Sequence, residues 1–88
     1  MNTAKETSRE LAKVLIEIKK KLLPEDRKMA MRQFKMTYPQ LHRYLSGNIG
    51  SFEVAGALIE FFLPRIDERR NVFTDIVANA KNILQIAS

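Results

Sequence analysis

Pro24, Pro39 and Pro64 are the only prolines in the chain, and together with Gly47 they cut it into pieces that leave little choice of secondary structure. Proline lacks the amide that a continuing helix or a central strand would need, so each one marks a start or a stop. Between these marks the apolar residues recur at three and four positions apart, the spacing of one helix face. Leu11, Val14, Leu15, Ile18 and Leu22 predict a helix from about Thr7 to Leu23, stopped by Pro24. Pro24, Glu25 and Asp26 then open a second, through about Phe34, with Ala30, Met31 and Phe34 on its apolar side and the acids suited to its N-terminal dipole. A third begins within one residue of Tyr38. Either Thr37 is its N-cap, with Gln40 completing a capping box and Met36 and Leu41 a hydrophobic staple, or Tyr38 is the cap with Pro39 at N1. It cannot pass Gly47. Ser51 caps a fourth, running through Phe52, Ala55, Leu58, Ile59 and Phe62 to Leu63, where Pro64 ends it. A fifth, from about Asp67 to Ile86, carries Val72, Phe73, Ile76, Val77, Ala80, Ile83, Leu84, Ile86 and Ala87. No strand pattern or internal repeat is present, so the expectation is an all-α, compact five-helix domain spanning residues 1–88.

Composition narrows the function. At 88 residues and 45% hydrophobic, the chain can build one core but not a core plus a roomy substrate cavity. It has no Cys and a single histidine, His42, so neither a thiolate metal site nor a nucleophile–base pair suggests itself. Glu25 and Asp26 fit helix capping better than acid–base catalysis. A binding protein without metal, cofactor or small-molecule ligand is expected, not an enzyme. The most apolar stretch, near "VAGALIEFFL", is broken by Glu60 and falls short of a membrane span, and the first ten residues lack the apolar core of a signal peptide. A cytoplasmic location, with no membrane partner, is the resulting expectation.

The charge is unevenly placed. From Lys19 to Arg43, eight bases (Lys19, Lys20, Lys21, Arg27, Lys28, Arg32, Lys35 and Arg43) meet only Glu25 and Asp26, and the flanking segments are close to neutral. The whole net charge of +5 therefore belongs to one segment. A polyanion partner requires such a footprint, because phosphate neutralisation supplies most of the affinity in nucleic-acid binding. Within that segment the third helix places Leu41, Tyr44 and Leu45 on one side at 100° per residue. Pro39, Arg43 and Ser46 then point away, flanked by Gln40 and His42. A major groove admits one helix, and Gln, Arg and Ser can reach base edges there, Gln bidentately at adenine and Arg at guanine.

The stretch "MAMRQFKMTYPQLHRYLSG", Met29 to Gly47, resembles the helix-turn-helix of the phage Cro and repressor (lambda-repressor-like) family. Met31 and Phe34 take the inward sites of its first helix, Met36 the turn hydrophobe and Thr37 the capping site. Leu41, Leu45 and Gly47 occupy the inward and terminating sites of the second. The family usually has a small residue where this chain has Met31, and often Gly where it has Lys35; a left-handed Lys costs on the order of 1 kcal/mol. The resemblance implies sequence-specific binding of double-stranded DNA by a small bacterial or phage transcriptional regulator, associated with the nucleoid. By position it implies base contacts from Tyr38, Pro39, Gln40, His42 and Arg43. Phosphate contacts would come from Arg27, Lys28, Lys35, Thr37, Asn48 and Ser51. The competing expectation is an antitoxin- or adaptor-like module that uses the same shape to bind protein. Because one recognition helix reads only a few base pairs, a homodimer is expected. Its interface would be the wide apolar stripe of the fifth helix: Phe73, Ile76, Val77, Ala80, Ile83, Leu84 and Ile86.

Overall fold

Four α-helices, not the five expected, make up residues 3–86, the part of the chain that the computed structural model describes: α1 (Thr3–Lys21), α2 (Pro24–Phe34), α3 (Tyr38–Leu45) and α4 (Phe52–Leu84). Met1, Asn2, Ala87 and Ser88 lie outside the described residues, and with them one residue of the apolar stripe. The all-helical class agrees with the sequence pattern. The helix count does not, because α4 runs through Pro64 without a break and absorbs both expected C-terminal helices.

The core explains why α1, α2 and α3 form where their apolar spacing puts them. Leu15 and Ile18 of α1, Ala30 of α2, Leu41 and Leu45 of α3, and Ala55, Leu58 and Phe62 of α4 bury into one cluster. Leu11, Leu22, Met31, Phe34, Met36, Tyr44, Ile49 and Ile66 close it from the sides. Phe61 stands between Phe34 and Phe62, edge-on to both at 5.6 and 5.4 Å between ring centres, and so joins α2 to α4.

Helix α4 survives Pro64 because the residues after the proline are tied down. An interior proline removes one backbone hydrogen bond and costs about 3 kcal/mol. Just beyond it Ile66 packs on the core, and Arg65 and Arg69, both on one face, reach back to Asp26 of α2. Asp26, 2% exposed, accepts from Arg65 Nε (3.2 Å), from Arg69 Nη1 (2.9 Å to Oδ1 and 2.8 Å to Oδ2) and from the Leu23 N–H (2.9 Å). Arg69 also donates to the Lys21 carbonyl at the end of α1 (3.1 Å), and Arg65 lies over the Phe61 ring. Three helices therefore meet at one carboxylate. Burial alone pushes the Asp26 carboxyl upward, but the hydrogen bonds from Arg69, Leu23 and Arg65 and the Arg69 charge outweigh it. Its pKa lies below the ordinary 3.8.

Beyond Arg70 every described residue of α4 is exposed. The apolar stripe expected to pair two copies is bare, its large side chains running from 51% exposed at Val77 to 71% at Ile83. The molecule is correspondingly long, 55 × 33 × 16 Å, with a radius of gyration of 16.7 Å where a compact chain of this length would have about 12 Å. Among the described residues no helix is long and apolar enough to cross a membrane.

Candidate nucleic-acid interface

The turn between α2 and α3 is short because both of its ends are closed locally. Lys35 adopts the left-handed conformation (φ 52°, ψ 48°) that a glycine would take at no cost, and the Met36 N–H closes back on the Met31 carbonyl (3.0 Å). Met31, larger than the family's usual residue, is accommodated half-buried at the edge of the core. Two residues after Lys35, Thr37 is the N-cap of α3. Its Oγ1 accepts from the Gln40 N–H (3.4 Å), and the Gln40 side-chain Oε1 accepts from the Thr37 N–H (2.8 Å). The capping box thus prevails over Tyr38 as the cap, and Pro39 is accommodated in the first turn.

The far end of α3 is closed as firmly. The Asn48 N–H donates to the Arg43 carbonyl (2.9 Å) and the Gly47 N–H to that of Tyr44 (3.0 Å), the pair of bonds of a Schellman cap. Gly47 has φ +96°, and a Cβ there would sit 3.1 Å from Ile16 Cδ1 of α1. Backbone conformation and space both call for glycine. Between these caps Leu41 and Leu45 anchor the helix from behind, at 1% and 2% exposure, and Tyr44 is half-buried beside them.

Everything else on α3 faces solvent. Tyr38, Pro39, Gln40, His42, Arg43 and Ser46 are all exposed. They form two flanks. On one, Tyr38 and His42 stack with their rings 5.9 Å apart and nearly parallel at 12°, and His42 Nε2 lies 3.3 Å from the Ser46 hydroxyl. On the other, Gln40 and Arg43 line an open groove with Lys35, Asn48, Tyr44 and the backbone at Gly50. Helix α3 contains no acidic residue. The surrounding acids are also fewer than the sequence implies, since Asp26 is buried in its ion pairs and leaves Glu25 as the one exposed acid between Lys19 and Arg43.

The residues expected to touch phosphates are not all alike in placement. Lys35, Thr37 and Asn48 are exposed around the groove and the start of α3. Lys28 is exposed on the outward side of α2 beside Met29 and Arg32. Ser51 is half-buried, and its Oγ accepts from the Val54 N–H (3.4 Å) as the N-cap of α4, so only its hydroxyl hydrogen is left to donate. Arg27 is half-buried, with its Nε enclosed and without a hydrogen-bond partner, which leaves the terminal amino groups as the part able to reach outward. Arg32, exposed on the same side of α2 as Lys28, joins this basic surface although only the charge count pointed to it. Arg65 and Arg69 were outside every expectation. Their spacing of four after Pro64 is the one local sign that a helix face continues there.

No protein-family model matches the chain, and no curated protein or solved structure matches it significantly. The functional reading therefore rests on the geometry of α3 and the basic surface around it. Among the described residues no group of His, Asp and Glu is placed to hold a metal ion.

Proposed function

We propose that this protein binds double-stranded DNA sequence-specifically, laying α3 in the major groove, and serves as a small transcriptional regulator of the Cro and repressor type that acts at the nucleoid. The observation that carries the reading is the outer face of α3: Tyr38, Pro39, Gln40, His42, Arg43 and Ser46 stand exposed on an eight-residue helix capped at both ends. So short a helix buries only two side chains fully, Leu41 and Leu45, and offers the rest of its surface outward. Lys35 and Asn48 border that face at the groove, and Lys28 and Arg32 add exposed positive charge on α2; such groups suit phosphates. Arg43 is the best placed to read a base, with Gln40 beside it and His42 on the opposite flank.

The test is fluorescence anisotropy on labelled duplexes, first at several salt concentrations and then after selection of a preferred site. Binding to bulk duplex should weaken steeply as salt rises, because each neutralised phosphate releases counterions. Lys28→Ala and Lys35→Ala should each reduce that slope. On the selected site Arg43→Ala should lose about 5- to 160-fold in affinity, the equivalent of about 1–3 kcal/mol, and relax preference at one base pair. An absence of salt-dependent binding at low salt would overturn the reading in favour of a protein-interaction module of antitoxin or adaptor kind.

A further inference from the structure

The last part of α4, residues 71–84, has no role in the fold as a single chain. After Arg70 it leaves the body, and its apolar side chains contact nothing that buries them. A helix segment of this length is marginal in water without an apolar partner. The exposed apolar side chains of the tail together present on the order of 700 Å² per copy, close to the roughly 800 Å² that each partner gives to a standard stable interface. The stripe also continues onto the body. Val72 and Phe73 share one cleft with Leu23, itself 48% exposed at the start of α2. We propose that this tail pairs antiparallel with the tail of a second copy, Phe73 lying opposite Ile83 and Ile76 opposite Ala80.

The spacing of the stripe sets the register. Phe73, Ile76, Ala80 and Ile83 succeed one another at three, four and three residues, the seam of a two-helix coil. In a parallel pair each residue meets its own copy, so Ala80 faces Ala80 and leaves a gap between two layers of isoleucine. Reversing one helix sets the large residue of each layer against the smaller one, Phe73 against Ile83 and Ile76 against Ala80, which fills the seam evenly. The tail beyond Arg70 carries only two charges, Asp75 and Lys81. At 100° per residue both lie about 120° from the middle of the seam, so neither register sets them against each other and the seam itself is free of charge. The antiparallel register puts Leu84 level with Val72 of the second copy, so the end of each tail lies alongside the residues that form the cleft with Leu23. This pairing does not depend on the DNA reading and is measured without DNA.

The chain has no cysteine, so introduced thiols report on their own neighbours. Ile76→Cys and Ala80→Cys lie on the exposed tail and leave the core untouched. Sedimentation of the unmodified protein at micromolar concentration should give a dimer. Mild oxidation of a mixture of the two variants should give a cross-linked heterodimer several-fold in excess of either homodimer, while each variant oxidised alone stays largely uncrosslinked. Efficient self-crosslinking of Ala80→Cys alone would overturn the antiparallel register. A monomer at every concentration reached would overturn the surface itself, and would leave the DNA-binding proposal to stand or fall on its own titration.

Discussion

Replacing Asp26 by alanine should destabilise the domain more than any other single change to a charged residue. The carboxylate is 2% exposed and accepts from two guanidinium groups and one backbone N–H. Removing one partner of a buried ion pair costs about 3–5 kcal/mol, because the other charge is left unpaired in poor solvent. Here the arginine side chains keep 32% and 27% of their surface in water, and the Leu23 N–H sits at an exposed residue, so solvent recovers part of the loss. The discounted cost is about 2–4 kcal/mol. Against a total stability of roughly 5–13 kcal/mol for a chain of this length, that is a large share. Thermal unfolding monitored by circular dichroism should show a fall in midpoint on the order of 10–20 °C. The Asp26→Ala and Arg69→Ala changes should be non-additive by at least about 1 kcal/mol. Because the folded-state pKa of Asp26 lies below the ordinary 3.8, its contribution is complete above that value and is lost as pH falls through the native pKa. The unmodified protein should therefore lose stability in acid below about pH 4, and Asp26→Asn should flatten that part of the curve. A change of less than about 0.5 kcal/mol in Asp26→Ala, with additivity to Arg69→Ala, would refute the idea that the carboxylate holds α4 together past Pro64.

Other expectations concern the two ends of α3. Thr37→Ala should cost about 1 kcal/mol in chemical denaturation through loss of the N-cap, with no effect contradicting the capping box. Lys35→Gly should stabilise by up to about 1 kcal/mol, since glycine takes the left-handed conformation at no steric cost; a destabilised variant would mean that the lysine side chain contributes more than its backbone loses. Gly47→Ala should destabilise by more than about 1 kcal/mol, from positive φ and from the approach to Ile16, and unchanged stability would show that the α3–α1 contact yields easily.

The first three helices were legible because each is defined by signals within reach of its own residues. Leu15, Ile18, Leu41 and Leu45 recur at helical spacing, and Thr37, Gln40 and Gly47 mark ends through bonds spanning only a few positions. The outward face of α3 could be laid out from the same 100° arithmetic. The division of that face into a Tyr38–His42–Ser46 ladder and a Gln40–Arg43 groove could not, because it depends on the α3–α4 loop folding back with Asn48 and Gly50. Pro64 misled for a related reason. Its local tendency to stop a helix is real, but what overrides it joins residues 39 and 43 positions apart, Asp26 to Arg65 and to Arg69. Nothing in a linear window connects them. The same distance concealed Asp26, which reads as one more acid in a first helical turn.

The capping box at the start of α3 limits what Gln40 can recognise. Its Oε1 is engaged by the Thr37 N–H at 2.8 Å, so the end of the side chain free to face outward is the amide Nε2, which can only donate. The paired donor–acceptor match to adenine usually associated with glutamine then has to use the second lone pair of an oxygen already turned to the Thr37 N–H. By itself Nε2 can reach groups that present a lone pair: the N7 of either purine, the O6 of guanine and the O4 of thymine. If α3 reads DNA through Nε2 alone, then Gln40 tells guanine from adenine only through O6. A helix whose start is secured by its own reader is thereby blunted as an instrument of discrimination at that position.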